Sequence, residues 1–173
     1  PHLIILPGDY EKYERFSQWM FSYAYDFTPD VEVTSIDEGY LDLTPTHKDP
    51  VHIAYTLRQA IQQSLKISVS EGIGSNKLVS QIASKLNKPA AFFQIPSGTE
   101  TTFLHPLPNR WLPGVGPVTS SRLNAAGLAR IGQVAATPAD LLEMLVGSSA
   151  PTLRQFAQGK DDRPIIPARP AAK

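Results

Sequence analysis

Two neighbouring acids, Asp37 and Glu38, stand inside the run Ser35-Ile36-Asp37-Glu38-Gly39-Tyr40-Leu41-Asp42. Apolar and polar residues alternate over 31–36 and again over 39–44, so the acids fall at the junction of a hairpin. Adjacent carboxylates there cannot both lie against an apolar core, because an unpaired buried charge costs several kcal/mol. They need water or a cation. Two carboxylates with phosphate oxygens make an ordinary magnesium environment, since that ion prefers oxygen donors and keeps positions for phosphate and water. Two such ions about 3.5–4 Å apart support phosphoryl transfer, one activating the attacking hydroxyl and the other holding the leaving phosphate. Taken alone, an Asp-Glu pair at a hairpin tip is more often a polar turn, and Asp42 reads as ordinary surface.

A second group, Gly72-Ile73-Gly74-Ser75-Asn76-Lys77, leads into a helical pattern that ends at Asn87-Lys88-Pro89. Gly74 permits a tight strand-to-helix turn, Ser75 or Asn76 can cap the helix, and a helix start attracts anions. The spacing of Lys77, Gln81 and Lys88 puts them on nearly one face, opposite Leu78, Ile82 and Leu86. That face is either ready for phosphate or simply solvated. The glycine spacing before Lys77 is not that of a P-loop. A third group, Leu112-Pro113-Gly114-Val115-Gly116-Pro117-Val118-Thr119, lies between a short helix and a longer one. Glycines two apart let backbone N–H groups approach an oxygen anion, and the helix start that follows adds its positive end. Such a turn grips a DNA phosphate without reading sequence. A plain Gly-Pro connection is the alternative.

The elements that must position these groups change character once along the chain. Residues 3–6 are a short apolar run that reads as a buried strand, stopped by Pro7-Gly8; residues 10–27 carry Phe16, Met20, Tyr23 and Phe27 at helical spacing. The hairpin follows, and then Ile53, Leu57, Ile61 and Leu65 recur every four residues, which is an amphipathic helix. Residues 67–73 alternate like a strand, 76–86 form the helix already described, and 92–95 form a last strand. The expected order to this point is β-α-β-β-α-β-α-β, a sheet with helices on it. After Pro96, prolines at 106, 108, 113, 117 and 138 and glycines at 114, 116, 127, 132 and 147 divide the rest into short helices, so a helical subdomain begins near Ser97.

A chain of 173 residues, 42% of them hydrophobic, can build one ordinary core or two small ones. No window approaches the roughly 20 apolar residues of a membrane span, and the first nine residues lack the features of a secretory signal. A soluble, cytoplasmic protein is expected. The absence of cysteine excludes disulfides, thiolate zinc sites and cysteine nucleophiles, so any metal must sit on oxygen or imidazole. Net charge is zero, but residues 1–50 hold ten acids against three bases. From Lys66 to Arg130 there are seven bases (Lys66, Lys77, Lys85, Lys88, Arg110, Arg122, Arg130) against Glu71 and Glu100. That bias draws a phosphate backbone, or marks two solvated surfaces of opposite sign.

In this order and at these distances, the three groups resemble one family. Residues 35–42 are similar to the S-I-D-E-A-Y-L-D palm signature of the Y-family, lesion-bypassing DNA polymerases of the DNA polymerase IV and UmuC-like (ImpB/MucB/SamB) kind. Residues 72–89 are similar to their G-I-x-x-N-K-L-x-A-x-x-A-S-x-x-x-K-P stretch, residues 112–132 to the helix-hairpin-helix of their thumb, and 159–164 to their thumb exit. The resemblance implies an α+β fold: a partial polymerase palm over 1–96, with an antiparallel or mixed sheet and two helices, then a small all-helical thumb over 97–160. Residues 161–173 would be a linker toward a little-finger domain that is absent. It also implies that Asp37 and Glu38 are catalytic carboxylates holding two magnesium ions, and that Lys88 contacts the incoming deoxynucleoside triphosphate. Gly114, Val115, Gly116 and Thr119 would hold the backbone of the primer-template DNA.

Where the chain departs from the family pattern, expectations change. The Asp-bearing first strand, the aromatic gate against ribonucleotides, the fingers and the little finger are not in this sequence, so it is expected to be a fragment that is inactive alone. A sliding clamp would be reached through the absent C-terminal region. Gly39 stands where alanine is usual, a small-for-small change; Glu71 replaces a small residue, and Gln81 replaces lysine. Two other classes fit part of the sequence: a non-catalytic polymerase-like accessory protein of induced mutagenesis, and a helix-hairpin-helix DNA-binding module. Asp37, Glu38 and Lys88 argue against the first, and the palm half argues against the second. A nucleotide-cyclase palm is weaker still, because it lacks such a thumb.

Overall fold

The computed structural model describes residues 3–167. The chain divides into two compact units, one of residues 1–69 and 164–173 and the other of residues 70–163.

In the first unit, helix α1 (Tyr10–Ser22) starts at Asp9, whose carboxylate accepts the Lys12 N–H at 3.0 Å. Strands β1 (Val31–Val33) and β2 (Gly39–Leu41) pair antiparallel with Val31 opposite Leu41 and Val33 opposite Gly39. Helix α2 (Pro50–Leu65) is started by Asp49 and Pro50, a side-chain cap followed by a residue whose missing N–H costs nothing there. Of its periodic positions Ile53, Leu57 and Ile61 are buried as the spacing predicts and Leu65 is half-buried; Leu57 and Ile61 join Phe21, Ala24 and Val31 in one small core. Gly39 is less neutral than the sequence suggested. A Cβ there would lie 2.6 Å from the Phe21 ring and 2.7 Å from the Glu32 carbonyl, so the hairpin reaches this core only because the position has no side chain. The predicted strand over 3–6 is absent, and Leu3, Ile4, Ile5 and Leu6 are 79–84% exposed. A strand requires a neighbour for its backbone groups, and among the described residues none pairs with this segment.

In the second unit, β3 (Glu71–Ile73), α3 (Lys77–Leu86) and β4 (Phe92–Gln94) form a β-α-β turn with parallel strands, Gly72 opposite Phe93. A Cβ on Gly72 would lie 2.0 Å from the Ser80 carbonyl oxygen, so α3 rests directly on the β3 backbone. The two strand pairs are separate ladders among the described residues, one antiparallel and one parallel, within the α+β class the sequence predicts. The helices α4 (Glu100–Leu104), α5 (Pro117–Ala125), α6 (Ile131–Ala136), α7 (Ala139–Val146) and α8 (Ala150–Ala157) are short, each bounded by proline, glycine or a turn. Their buried Leu104, Leu123, Ile131, Leu142 and Phe156 share one core with Leu78 and Ile82 of α3. The compact unit therefore begins at Ser70, ahead of the change to all-helical sequence near Ser97, because the apolar face of α3 packs with the helices that follow it.

Candidate functional site

The loop from Thr34 to Glu38 joins β1 to β2 and is folded around two acceptors. The Glu38 carbonyl accepts the N–H groups of Thr34 and Ser35 and the Thr34 hydroxyl, each at 3.0 Å. The Ser35 hydroxyl accepts the Glu38 N–H at 3.0 Å and donates to Asp37 Oδ1 at 2.8 Å. Asp37 is thereby held exposed, with Glu38 half-buried beside it. Both are hard oxygen donors that solvent reaches, which suits magnesium. Among the described residues no three acidic or histidine side chains gather closely enough to hold a metal.

Residues of α3 separate where the spacing had joined them. Lys77 is buried, Gln81 is half-buried and Lys88, just beyond the helix, is exposed. The expected basic face thus reduces to its far end. Asn76 caps the helix, accepting the Val79 N–H at 3.0 Å. The anion that the helix start favours is one of the chain's own: Asp161 Oδ2 accepts the Leu78 N–H at 2.9 Å. Arg163 grips the same carboxylate with Nε on Oδ1 and Nη2 on Oδ2, both at 2.7 Å, and its guanidinium lies 5.1 Å from the centre of the Phe156 ring. Burial alone would raise the Asp161 carboxyl, but Arg163 and the Leu78 N–H outweigh it and hold the group below its usual range. Residues 161–163 are accordingly anchored rather than loose linker; residues 168–173 of the expected linker lie outside the described residues. Glu100 also sits low, because it accepts the Ser75 hydroxyl at 2.5 Å and backbone N–H groups that include that of Gly98.

The Gly-x-Gly turn has a buried anchor and an open crest. Leu112 and Val115 point into the core, and Val115 donates its N–H to the Leu112 carbonyl at 3.1 Å. Gly114 is left-handed at φ +83°. Gly116 is not: its φ of −78° and ψ of 178° suit any residue, and a Cβ there would meet nothing within 4 Å. Gly116 is the N-cap of α5 and offers no side-chain cap. Among the described residues, the N–H groups of Gly114, Gly116, Val118 and Thr119 donate to no protein acceptor. Val118, at the helix start, is 67% exposed. The turn is braced from behind by Asn109, a buried side chain that sequence reading missed. Its amide donates to Asn124 Oδ1 at 2.9 Å and to the Leu128 carbonyl at 2.8 Å, and its Oδ1 accepts the Ser120 hydroxyl at 2.7 Å. No local signal marked it, because its partners lie 11, 15 and 19 residues further along the chain. Asp37 and Glu38 belong to the first unit, and Lys88, Gly114, Val115, Gly116 and Thr119 to the second.

An α+β unit with an acidic hairpin loop, followed by a unit of one β-α-β turn and short helices, shares its fold with the palm and thumb of DNA polymerases. Residues 1–85 match the impB/mucB/samB family. The chain is 44% identical over 170 residues to DNA polymerase IV of Opitutus terrae, covering 95% of this chain and 43% of that protein. It is 33% identical over 171 residues to DNA polymerase IV 1 of Bacillus subtilis, covering 98% and 41%. The crystal structure of DinB from Sulfolobus solfataricus superposes with a TM-score of 0.87 at 29% identity, over 95% of this chain and 50% of that one. The insertion ternary complex of Dbh DNA polymerase matches with the same TM-score and identity, over 94% and 48%. Over nearly its whole length the chain is similar to Y-family DNA polymerases. It spans less than half the length of the curated relatives it matches.

Proposed function

We propose that this chain supplies the catalytic carboxylate loop and the DNA-gripping thumb of a DNA-directed DNA polymerase that copies past damaged bases. In this reading residues 1–96 are palm, 97–160 are a helix-hairpin-helix thumb, and 161–173 lead toward a further DNA-gripping domain in a longer polypeptide. The reaction is attack of a primer 3′-hydroxyl on the α-phosphate of a deoxynucleoside triphosphate, with pyrophosphate leaving. The observation that carries the reading is the Asp37–Glu38 loop, where Ser35 holds the exposed Asp37 carboxylate beside Glu38.

Asp37 and Glu38 would hold two magnesium ions, which when bound neutralise phosphate charge and acidify the attacking hydroxyl. Ser35 fixes the direction of the Asp37 carboxylate by its 2.8 Å hydrogen bond. Lys88 meets the triphosphate charge from the exposed end of α3. The unused N–H groups of Gly114, Gly116, Val118 and Thr119 hold a DNA phosphate, and the missing Cβ at Gly116 lets the DNA backbone come close. With two carboxylates on this loop, the chain alone is expected to be inactive.

The test is magnesium-dependent primer extension by the full-length polypeptide, comparing Asp37→Ala and Glu38→Ala with the parent. Each substitution is expected to lower kcat by about 100-fold or more, from lost electrostatic stabilisation, while the folded fraction is unchanged. Extension that survives both substitutions overturns the reading.

A further inference from the structure

The carboxylate of Asp161 lies where the positive end of α3 would otherwise receive a phosphate. It is not there alone. Asn76 Nδ2 donates to the Gly159 carbonyl at 2.9 Å, and Gly159 is left-handed at φ +76°, with no space for a Cβ, which would lie 2.9 Å from Glu100 Cβ. Glu100 in turn holds Ser75, in the turn that enters α3. The segment that closes the second unit is therefore fastened to the N-cap and to the second residue of α3, across 83 positions of sequence for each of the Asn76–Gly159 and Leu78–Asp161 bonds. Arg163 neutralises and orients the carboxylate from the solvent side, its own side chain half exposed and the acid's fully covered.

We infer that Asp161 is a positioning residue for nucleotide binding: by occupying the start of α3 it fixes the helix along its axis, and so fixes Lys88 beyond the other end. This rests on the proposed function, because Lys88 is the group through which it acts. The far end of α3 lies about 12 Å along the axis from Leu78, so Asp161 does not touch the nucleotide that Lys88 meets. The face of α3 already rests on β3 at Gly72, which leaves sliding and tilting as the motions that a fastened first turn suppresses. Closing the start of α3 with an internal acid also keeps the triphosphate from a competing anion position, leaving the lysine end as the place for its charge.

The experiment uses the full-length polypeptide and measures nucleotide KM and kcat for primer extension in the parent, Asp161→Ala, Lys88→Ala and the double variant. Asp161→Asn accompanies them, since it keeps one acceptor for the Leu78 N–H if the alanine form does not fold. Asp161→Ala or Asp161→Asn is expected to raise KM about tenfold with kcat within about threefold, less than the roughly 100-fold that a full 1 Å misplacement remote from the chemistry can cost. The double variant is expected to be no worse in KM than Lys88→Ala alone, because the first substitution acts through the second residue. An Asp161 variant that lowers melting temperature yet leaves KM within twofold reduces the residue to a structural role and overturns the inference. So does a KM effect of equal size in the Lys88→Ala background. A parent with no extension activity sinks the proposed function, and this inference with it, whereas an active parent with an unmoved KM sinks the inference alone.

Discussion

Replacing Gly116 with alanine separates a glycine kept for the fold from one kept for a ligand. Its backbone lies in an ordinary extended region, and the added methyl would meet nothing within 4 Å. The unfolded chain loses freedom, worth up to about 1 kcal/mol, while alanine is a poorer N-cap than glycine by a comparable amount, so a stability change within about 1 kcal/mol of zero is expected. Gly114 is the internal control: at φ +83° an alanine is strained by about 1–2 kcal/mol although the space around it is equally open. For DNA the order reverses. A methyl on the crest of the turn holds the DNA backbone away from the N–H groups of Gly116 and Val118. Losing one such hydrogen bond to a charged phosphate costs about 1.5 kcal/mol, which is about a tenfold weaker Kd. Chemical denaturation gives the first quantity, and anisotropy titration of labelled primed duplex at several salt concentrations gives the second. A Gly116→Ala protein that loses more than about 1.5 kcal/mol of stability would show an internal role. One that binds DNA as tightly as the parent would refute the assignment of the turn as a phosphate grip.

Gly39→Ala tests the contact that lets the hairpin reach its core: with Cβ contacts of 2.6 and 2.7 Å to relieve, it is expected to cost about 1–3 kcal/mol in denaturant unfolding. Asn109→Ala leaves the Ser120 hydroxyl without its acceptor and the Leu128 carbonyl without its donor, behind the turn, and is expected to cost about 2–4 kcal/mol by the same measurement. Acid unfolding should depend on Asp161. Its native value is held below the usual one near 3.8, so its contribution is complete above that value and is lost as pH falls through the lower native one. In Asp161→Asn, the loss of stability on titrating below about pH 4 is expected to be shallower than in the parent, followed by circular dichroism.

Much of the local structure is legible in the chain itself because it is caused locally. The four-residue recurrence from Ile53 to Leu65 is one face of a helix whatever it packs against, and Asn76 announces a helix start by chemistry that needs only the next three residues. The Asp37–Glu38 pair falls in a hairpin loop for the same reason, since alternation on both sides sets the register and puts the acids at the turn. What tertiary structure alone decided concerns partners distant in sequence. Residues 3–6 have a strand's composition and no strand, because pairing needs a neighbour that composition does not supply. Lys77 has the spacing of an exposed face and is buried, because α3 packs on β3 through Gly72 and also on the helices after Ser97. The anion at the start of α3 was predictable in kind but not in identity: helix polarity is a property of ten adjacent residues, whereas the arrival of Asp161, 83 residues beyond Leu78, depends on how the whole second unit closes.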